Sequence, residues 1–203
     1  METVNSDEMV DLIFIMDRSG SMMGSEMDTI GGFNSFIQKE IKNEKNNKVT
    51  TVLFDHEYEM LYKRKPIHQV DKLTEKEYWV RGSTALLDAI GKTINTLDKE
   101  IDNKALVVIM TDGYENASCE YSKQQIANLI NNHNWEFIYI GADIDSYSEA
   151  RNFGFKKSRI ANYQKTRQGY DDVFTSVGCA VESLRCDESL DEVNWKENLE
   201  KYD

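Results

Sequence analysis

The chain is short of the residues that staple or punctuate small secreted domains. It carries one proline, Pro66, and three cysteines, Cys119, Cys179 and Cys186, in 203 residues. An odd, sparse set with no Cys-x-x-Cys pair makes neither a disulfide framework nor a zinc site, and reads as reduced thiols in a cytoplasm. Histidine is scarce too. His56, His68 and His133 are scattered, which argues against a histidine-based catalytic centre; His56 is expected in a hairpin turn, away from any site. No apolar run is long enough to span a bilayer. Glu2, Asp7 and Glu8 precede the first apolar run, so the start lacks the basic region of a signal peptide. Basic charge is in deficit, with 24 Lys and Arg against 36 Asp and Glu and a formal net charge of -12. That balance excludes non-specific nucleic-acid binding and docking on anionic membranes. The expected location is the cytoplasm.

What the chain does have is a regular order of apolar segments. Forty percent of its residues are hydrophobic, enough for one core in one domain of ordinary size. Residues 10–16 read as a short buried strand. Met27, Ile30, Phe33, Ile37 and Ile41 follow at helical spacing. Gly31-Gly32 inside that helix costs roughly 1 kcal/mol per glycine against alanine, which a close approach of the helix to the sheet would explain. Residues 49–54 and 57–63 form strands joined by a short break at Asp55-His56, hence an antiparallel hairpin. Pro66 and the charges of its second strand suit a sheet edge.

Residues 70–80 read as a connection. A helix opens at Thr84 and runs through Leu86, Leu87, Ile90, Ile94 and Leu97; residues 105–110 are the most apolar strand, placed centrally. Ser122 is a good N-cap for a helix holding Ile126, Leu129 and Ile130. A strand over 135–140, a short helix over 147–153, a strand over 159–163 and a helix over 171–184 complete the order. The fold predicted is α/β and Rossmann-like, in three layers. A mostly parallel six-stranded central sheet, with one antiparallel edge strand, carries helices on both faces. Residues 1–186 are read as a single domain, and 187–203 as a charged C-terminal tail, frayed or a short helix.

The segment with most chemistry in it is Asp17-Arg18-Ser19-Gly20-Ser21, directly after the first strand. Asp17, Ser19 and Ser21 are hard oxygen ligands suited to Mg²⁺ or Mn²⁺, and Gly20 lets the backbone turn sharply. The carboxyl end of a strand is where open α/β sheets bind ligands. Thr84 lies in Gly82-Ser83-Thr84-Ala85 before a helix, and Asp112 in Thr111-Asp112-Gly113 follows another strand. The three segments meet at one sheet edge if those two strands are neighbours.

In this combination the chain resembles a von Willebrand factor A (VWA) domain with a complete metal-ion-dependent adhesion site. Asp17-x-Ser19-x-Ser21 matches its DxSxS motif, Thr84 its lone threonine and Asp112 its distal aspartate. Ser19-Gly20-Ser21-Met22, residues 82–90 and Thr111-Asp112-Gly113-x-Glu115-Asn116 are similar to stand-alone bacterial and phage members of the tellurite-resistance-associated type. The resemblance implies that Ser19, Ser21 and Thr84 give hydroxyl oxygens directly to the metal. Asp17 and Asp112 would hold metal-bound waters or touch the ion. Neutral hydroxyls around the cation, with carboxylates behind them, leave it seeking a further anion. Mg²⁺ is the expected ion, with Mn²⁺ tolerated.

Each residue also has a plainer role open to it. Ser21 and Thr84 could be helix caps, and Asp112 a turn former beside Gly113. Asp88, four residues after Thr84, orients it or a metal-bound water, or is a locally bonded carboxylate. Asp143 and Asp145 rim the site or form an ordinary turn. Gly20, Met22, Ser83, Gly113 and Tyr114 are the candidate rim of a ligand surface. For Tyr114 and the methionines around the motif, packing is the alternative.

The function expected is a metal-dependent protein-binding module and not an enzyme. The predicted partner is another protein presenting an Asp or Glu side chain or a C-terminal carboxylate. Serines used as ligands leave no nucleophile, and no histidine stands in the motif to activate a water. One alternative is a Mg²⁺-dependent hydrolase or phosphoryl-transfer enzyme, against which no phosphate-binding glycine loop is present. Another is a structural component of a phage or stress-response assembly, with a purely structural ion.

Overall fold

A computed structural model describes residues 9–43 and 45–203. Eight residues of strand β1, Val10–Asp17, are all buried. Their side chains alternate between two cores. Leu12, Phe14 and Met16 join one, and Ile13 and Ile15 the other. A strand buried on both faces must lie inside a sheet, and β1 does. The other strands are β2 (Lys48–Phe54), β3 (Tyr58–Pro66), β4 (Lys104–Thr111), β5 (Glu136–Ala142) and β6 (Ile160–Tyr163), in the spatial order β3-β2-β1-β4-β5-β6. Every pairing is parallel except β2 with β3, which is antiparallel and puts β3 at the edge. This is the expected six-stranded arrangement.

Helices cover both faces. Helices α1 (Glu26–Lys42) and α5 (Arg167–Arg185) flank one side; α2 (Leu86–Leu97), α3 (Lys123–Asn132) and α4 (Ser146–Asn152) flank the other. Phe14 of β1 meets Phe33 and Phe36 of α1 edge-on, with ring centroids 5.3 and 5.5 Å apart, and Phe174 of α5 packs beside them. Such aromatic clusters bury large apolar areas and lock the two helices onto the sheet. The Gly31-Gly32 pair serves a different approach from the one expected. A Cβ on Gly32 would stand 2.5 Å from the Phe174 ring, so the glycine admits α5 and not the sheet, while Gly31 faces open space.

The C-terminal segment, read from sequence as frayed or a short helix, packs on the core and ends in a short helical turn. Leu190, Trp195 and Leu199 are buried in the core on the α5 side. Trp195 Nε1 donates to Ser158 O at 2.9 Å, and Tyr202 OH donates to Asp172 at 2.8 Å. The charged composition conceals three apolar anchors. They dock a segment ending in a 3-10 turn, Glu197–Tyr202, against β6 and α5. Among the described residues, no helix is long and apolar enough to cross a membrane.

The strand order also creates a switch point in the sheet. From β1 the chain crosses to β2 on one side, and β4 pairs with β1 on the other. The carboxyl ends of β1 and β4 therefore flank a topological switch point, the crevice where open α/β sheets take ligands. Met16 pairs with Met110, which sets Asp17 beside Thr111 and the start of the Asp112 loop.

Candidate metal centre

Beyond Asp17 the chain reverses through a 3-10 turn, Gly20–Met22, with Met22 N–H donating to Ser19 O at 3.0 Å. The turn is pinned to the Thr84 loop. Gly20 N–H donates to Gly82 O at 3.0 Å, and a Cβ on Gly20 would lie 3.2 Å from that same oxygen. Gly82 sits at φ +64°, and a Cβ there would strike the His56 ring. The β2–β3 turn carrying His56 thus stands against the Thr84 loop. This corrects the placement of His56 away from the site: β2 runs parallel to β1, so its end lies at the same sheet edge.

Asp17 is buried and fully engaged. Oδ1 accepts the Ser19 N–H and Oδ2 the Thr111 hydroxyl, each at 2.6 Å. Burial pushes its carboxyl up to about 6, against the lowering effect of the hydrogen bonds from Thr111 and Ser19, and the nearby Asp112 adds to the rise. Ser19 Oγ and Ser21 Oγ are 3.0 Å apart, the first buried and the second exposed at the mouth. Thr84 is buried. Its N–H donates to Asn116 Oδ1 at 2.9 Å, and its carbonyl accepts the N–H of Asn116 and Ala117.

Gly113 shows how closely these groups approach. A Cβ built on it would lie 2.8 Å from Thr84 Oγ1, 3.1 Å from Ser21 Oγ and 3.7 Å from Asp17 Oδ2. Three oxygens from two separate segments therefore crowd one point on a third, and only a glycine leaves that point clear. Asp112 closes the group. Its Oδ2 accepts from Lys165 Nζ at 3.1 Å, whereas Oδ1 is buried without a hydrogen-bond partner.

The surrounding loops hold this geometry through acids that the sequence left open or unassigned. Asp88 accepts the N–H groups of Cys119, Glu120 and Tyr121 at 2.9 to 3.0 Å, so it is a locally bonded carboxylate that anchors the loop after β4. Burial works to raise its pKa, but those three bonds prevail and hold it below the ordinary value. Glu115 accepts from Leu87 N–H, Ala117 N–H and Ser118 N–H, tying the same loop to the first turn of α2. On the other side, Asp55 accepts from Arg18 Nε at 3.0 Å and Arg81 Nε at 2.8 Å. Arg18, inside the Asp17–Ser21 motif, is only 2% exposed. Apart from the local Glu115 bonds to Ala117 and Ser118, these ties were invisible in sequence because they join loops far apart along the chain.

The candidate rim divides. Ser83 is exposed, and Gly20 and Gly113 are partly so. Tyr114 is 52% exposed, and its OH accepts the Asp145 N–H at 3.1 Å. Met22 does not belong to the rim: at 1% exposed it is a core residue, because the 3-10 turn points it inward. Met23 and Met27 take the exposed positions instead. Asp143, at φ +56°, pairs with Lys165, and Asp145 caps α4 by accepting from Ser148 N–H.

The donor set fits a hard divalent cation on three observations. An octahedral ion at about 2.1 Å places neighbouring oxygens about 3.0 Å apart, the spacing of the two serine hydroxyls. The orphaned Asp112 Oδ1 is an acceptor awaiting a donor or a cation. The burial that raises the Asp17 pKa would be relieved by positive charge at this point. Among the described residues, no group of three or more His, Cys, Asp or Glu side chains is placed to hold a metal, so the candidate centre relies on hydroxyls and two carboxylates.

No curated protein matches the chain in sequence. Solved structures share its fold. The vWF domain of the type V pili tip protein Mfa5 from Porphyromonas gingivalis is 12% identical with a TM-score of 0.64, over 85% of this chain and 96% of that one. The manganese-loaded Plasmodium vivax TRAP protein is 20% identical with a TM-score of 0.58, over 78% and 70%. Proximal thread matrix protein 1 from the mussel byssus is 16% identical with a TM-score of 0.61, over 90% of this chain but 47% of that one. The chain thus spans about half the length of the mussel protein, and at these identities the likeness is one of fold. A model of the von Willebrand factor type A domain matches residues 11–174, and the chain belongs to that family.

Proposed function

We propose that this chain is a metal-dependent protein-binding module whose ion, Mg²⁺ with Mn²⁺ accepted, takes a carboxylate from a partner protein. VWA domains are generally adhesion or protein-interaction modules, some of them metal-dependent. The observation that carries the finer reading is the gathering of the Thr84, Ser21 and Asp17 oxygens around Gly113. Ser19, Ser21 and Thr84 would hold the ion through neutral hydroxyls, with Asp17 and Asp112 behind them. Bound there, the ion would supply a Lewis-acidic position open to one more oxygen. A neutral inner set leaves most of the cation's charge unanswered, so an anionic oxygen from outside is the complementary ligand.

The chain's own residues do the rest. Thr111 and the Ser19 N–H orient Asp17, Asn116 fixes Thr84, and the Asp88 and Glu115 bonds hold the loop that carries Asp112. Met23, Met27 and Tyr114 offer exposed apolar surface near the mouth for contacts that give specificity.

The test has two stages. Calorimetry should show Mg²⁺ binding to the wild type that Ser19→Ala combined with Asp112→Ala abolishes; equal affinity removes the metal. Partners captured from the native host should then be released by chelator. Capture that survives chelation overturns metal-bridged recognition, and turnover in a phosphatase and nucleotidase screen, lost in Asp17→Ala, would establish the enzymatic alternative.

A further inference from the structure

Lys165 has no part in the family resemblance or in the sequence-based site, yet its ammonium sits at the centre of the acidic edge. It projects from the loop between β6 and α5 and donates to Asp112 Oδ2 at 3.1 Å and to Ser21 O at 3.4 Å, and it pairs with Asp143 Oδ2 at 2.8 Å. An ammonium has three N–H donors, and all three are engaged. The loop that carries it is rigidly built. Thr166 N–H donates to Gln164 O at 2.7 Å, the Thr166 side chain caps α5 by accepting from Gly169 N–H, and a Cβ on Gly169 would collide with Gln164 O. Lys165 is thus a fixed cation on an acid that the metal also needs, and the second oxygen of that acid is the buried orphan.

We propose that Lys165 sets the charge of the metal centre, weakening the hold on the cation and keeping the loaded site attractive to an anion. The inference rests on the metal reading above. The formal count is simple. Asp17 and Asp112 bring two negative charges, a divalent ion two positive and Lys165 one more. The loaded centre therefore carries one net positive charge with Lys165 and none without it. Asp143 shares the ammonium but is well exposed, so water screens most of its contribution. An ordinary strut between β6 and β4 would tie the loops equally well with a neutral side chain; the charge is what the geometry adds.

The experiment uses the full chain loaded with Mn²⁺, read by water-proton relaxation, with acetate as the anion probe. In Lys165→Gln the Mn²⁺ dissociation constant should fall about threefold or more, and the acetate concentration that displaces bound water should rise by a similar factor. Lys165→Arg, which keeps the charge, should hold both within about twofold of the wild type. Either affinity left unmoved in Lys165→Gln overturns the proposal. So does weaker Mn²⁺ binding, which would make Lys165 a strut that positions Asp112. If the wild type binds no Mn²⁺ or Mg²⁺ at all, the metal reading itself falls and takes this one with it, an outcome distinct from equal binding in both proteins.

Discussion

Gly113 offers the sharpest way to test the centre, because a single methyl group would occupy it. An alanine Cβ there would sit 2.8 Å from Thr84 Oγ1 and 3.1 Å from Ser21 Oγ, inside ordinary contact distance of both. Gly113 is not among the glycines at positive φ, so its backbone accepts alanine. The perturbation therefore falls on the oxygens and not on the chain path. Thr84 is held at its N–H and carbonyl by the 116–117 segment, so its side chain yields by turning the hydroxyl aside. Displacing a single metal-orienting group costs about 10- to 100-fold in metal affinity, or about 1.4 to 2.8 kcal/mol of binding free energy. Stability in chelator should change by less than about 1 kcal/mol, since alanine lowers the conformational entropy of the unfolded chain and so offsets part of the crowding. Gly31→Ala is the matched control, because a Cβ at Gly31 meets nothing within 4 Å. Calorimetry with Mg²⁺, together with melting curves in EDTA and in Mg²⁺, separates the two effects. Gly113→Ala protein that binds Mg²⁺ as tightly as the wild type would refute the reasoning, because the gathered oxygens would then not be the ligands.

Two further expectations follow from buried acids. Burial lifts the Asp17 carboxyl from 3.8 to about 6, so the folded state holds that proton more tightly than the unfolded state. In EDTA its contribution is then most favourable below about pH 4 and declines by roughly 3 kcal/mol as pH rises through about 6. Asp17→Asn should therefore raise the EDTA melting temperature at pH 7.5 while losing Mg²⁺ binding. A variant destabilised alike at pH 4 and pH 7.5 would show that burial does not govern this group. Asp55→Asn should cost about 3 kcal/mol in urea unfolding, because it leaves the buried Arg18 guanidinium under-compensated. A loss below about 1 kcal/mol, the size of a surface pair, would make the Arg18–Asp55–Arg81 clamp dispensable.

The strands and helices were legible because burial writes a period into them. Ile13 and Ile15 against Leu12, Phe14 and Met16 is the alternation of a strand covered on both faces. The placement of Asp17, Ser19, Ser21, Thr84 and Asp112 at strand ends and before a helix was readable for the same reason. What escaped were contacts between loops, which have no period. Lys165 reaches Asp112 across 53 positions of sequence, and Arg18 reaches Asp55 across 37. Met22 and Met23 are neighbours of identical chemistry, yet one is buried and the other 74% exposed; only the turn geometry decides between them. Gly32 announced a close approach without naming its partner, because Phe174 lies on a helix 142 positions away in sequence.

The charges around the edge explain why chelation should be decisive. The chain's net charge of -12 opposes an acidic partner at long range, although screening confines that repulsion to about 8 Å at physiological salt. At contact the local cations must supply the attraction, and they are already engaged. Arg18 pairs with Asp55 and Glu59, Arg81 with Asp55 and Glu57, and Lys165 with Asp112 and Asp143. Each would have to give up an internal acid to take an external one, an exchange with little net gain. A divalent ion held among neutral hydroxyls, as proposed, would be a positive centre that needs no such exchange. If the proposed metal reading holds, the same loops that neutralise their own arginines would make recognition of a carboxylate conditional on the metal.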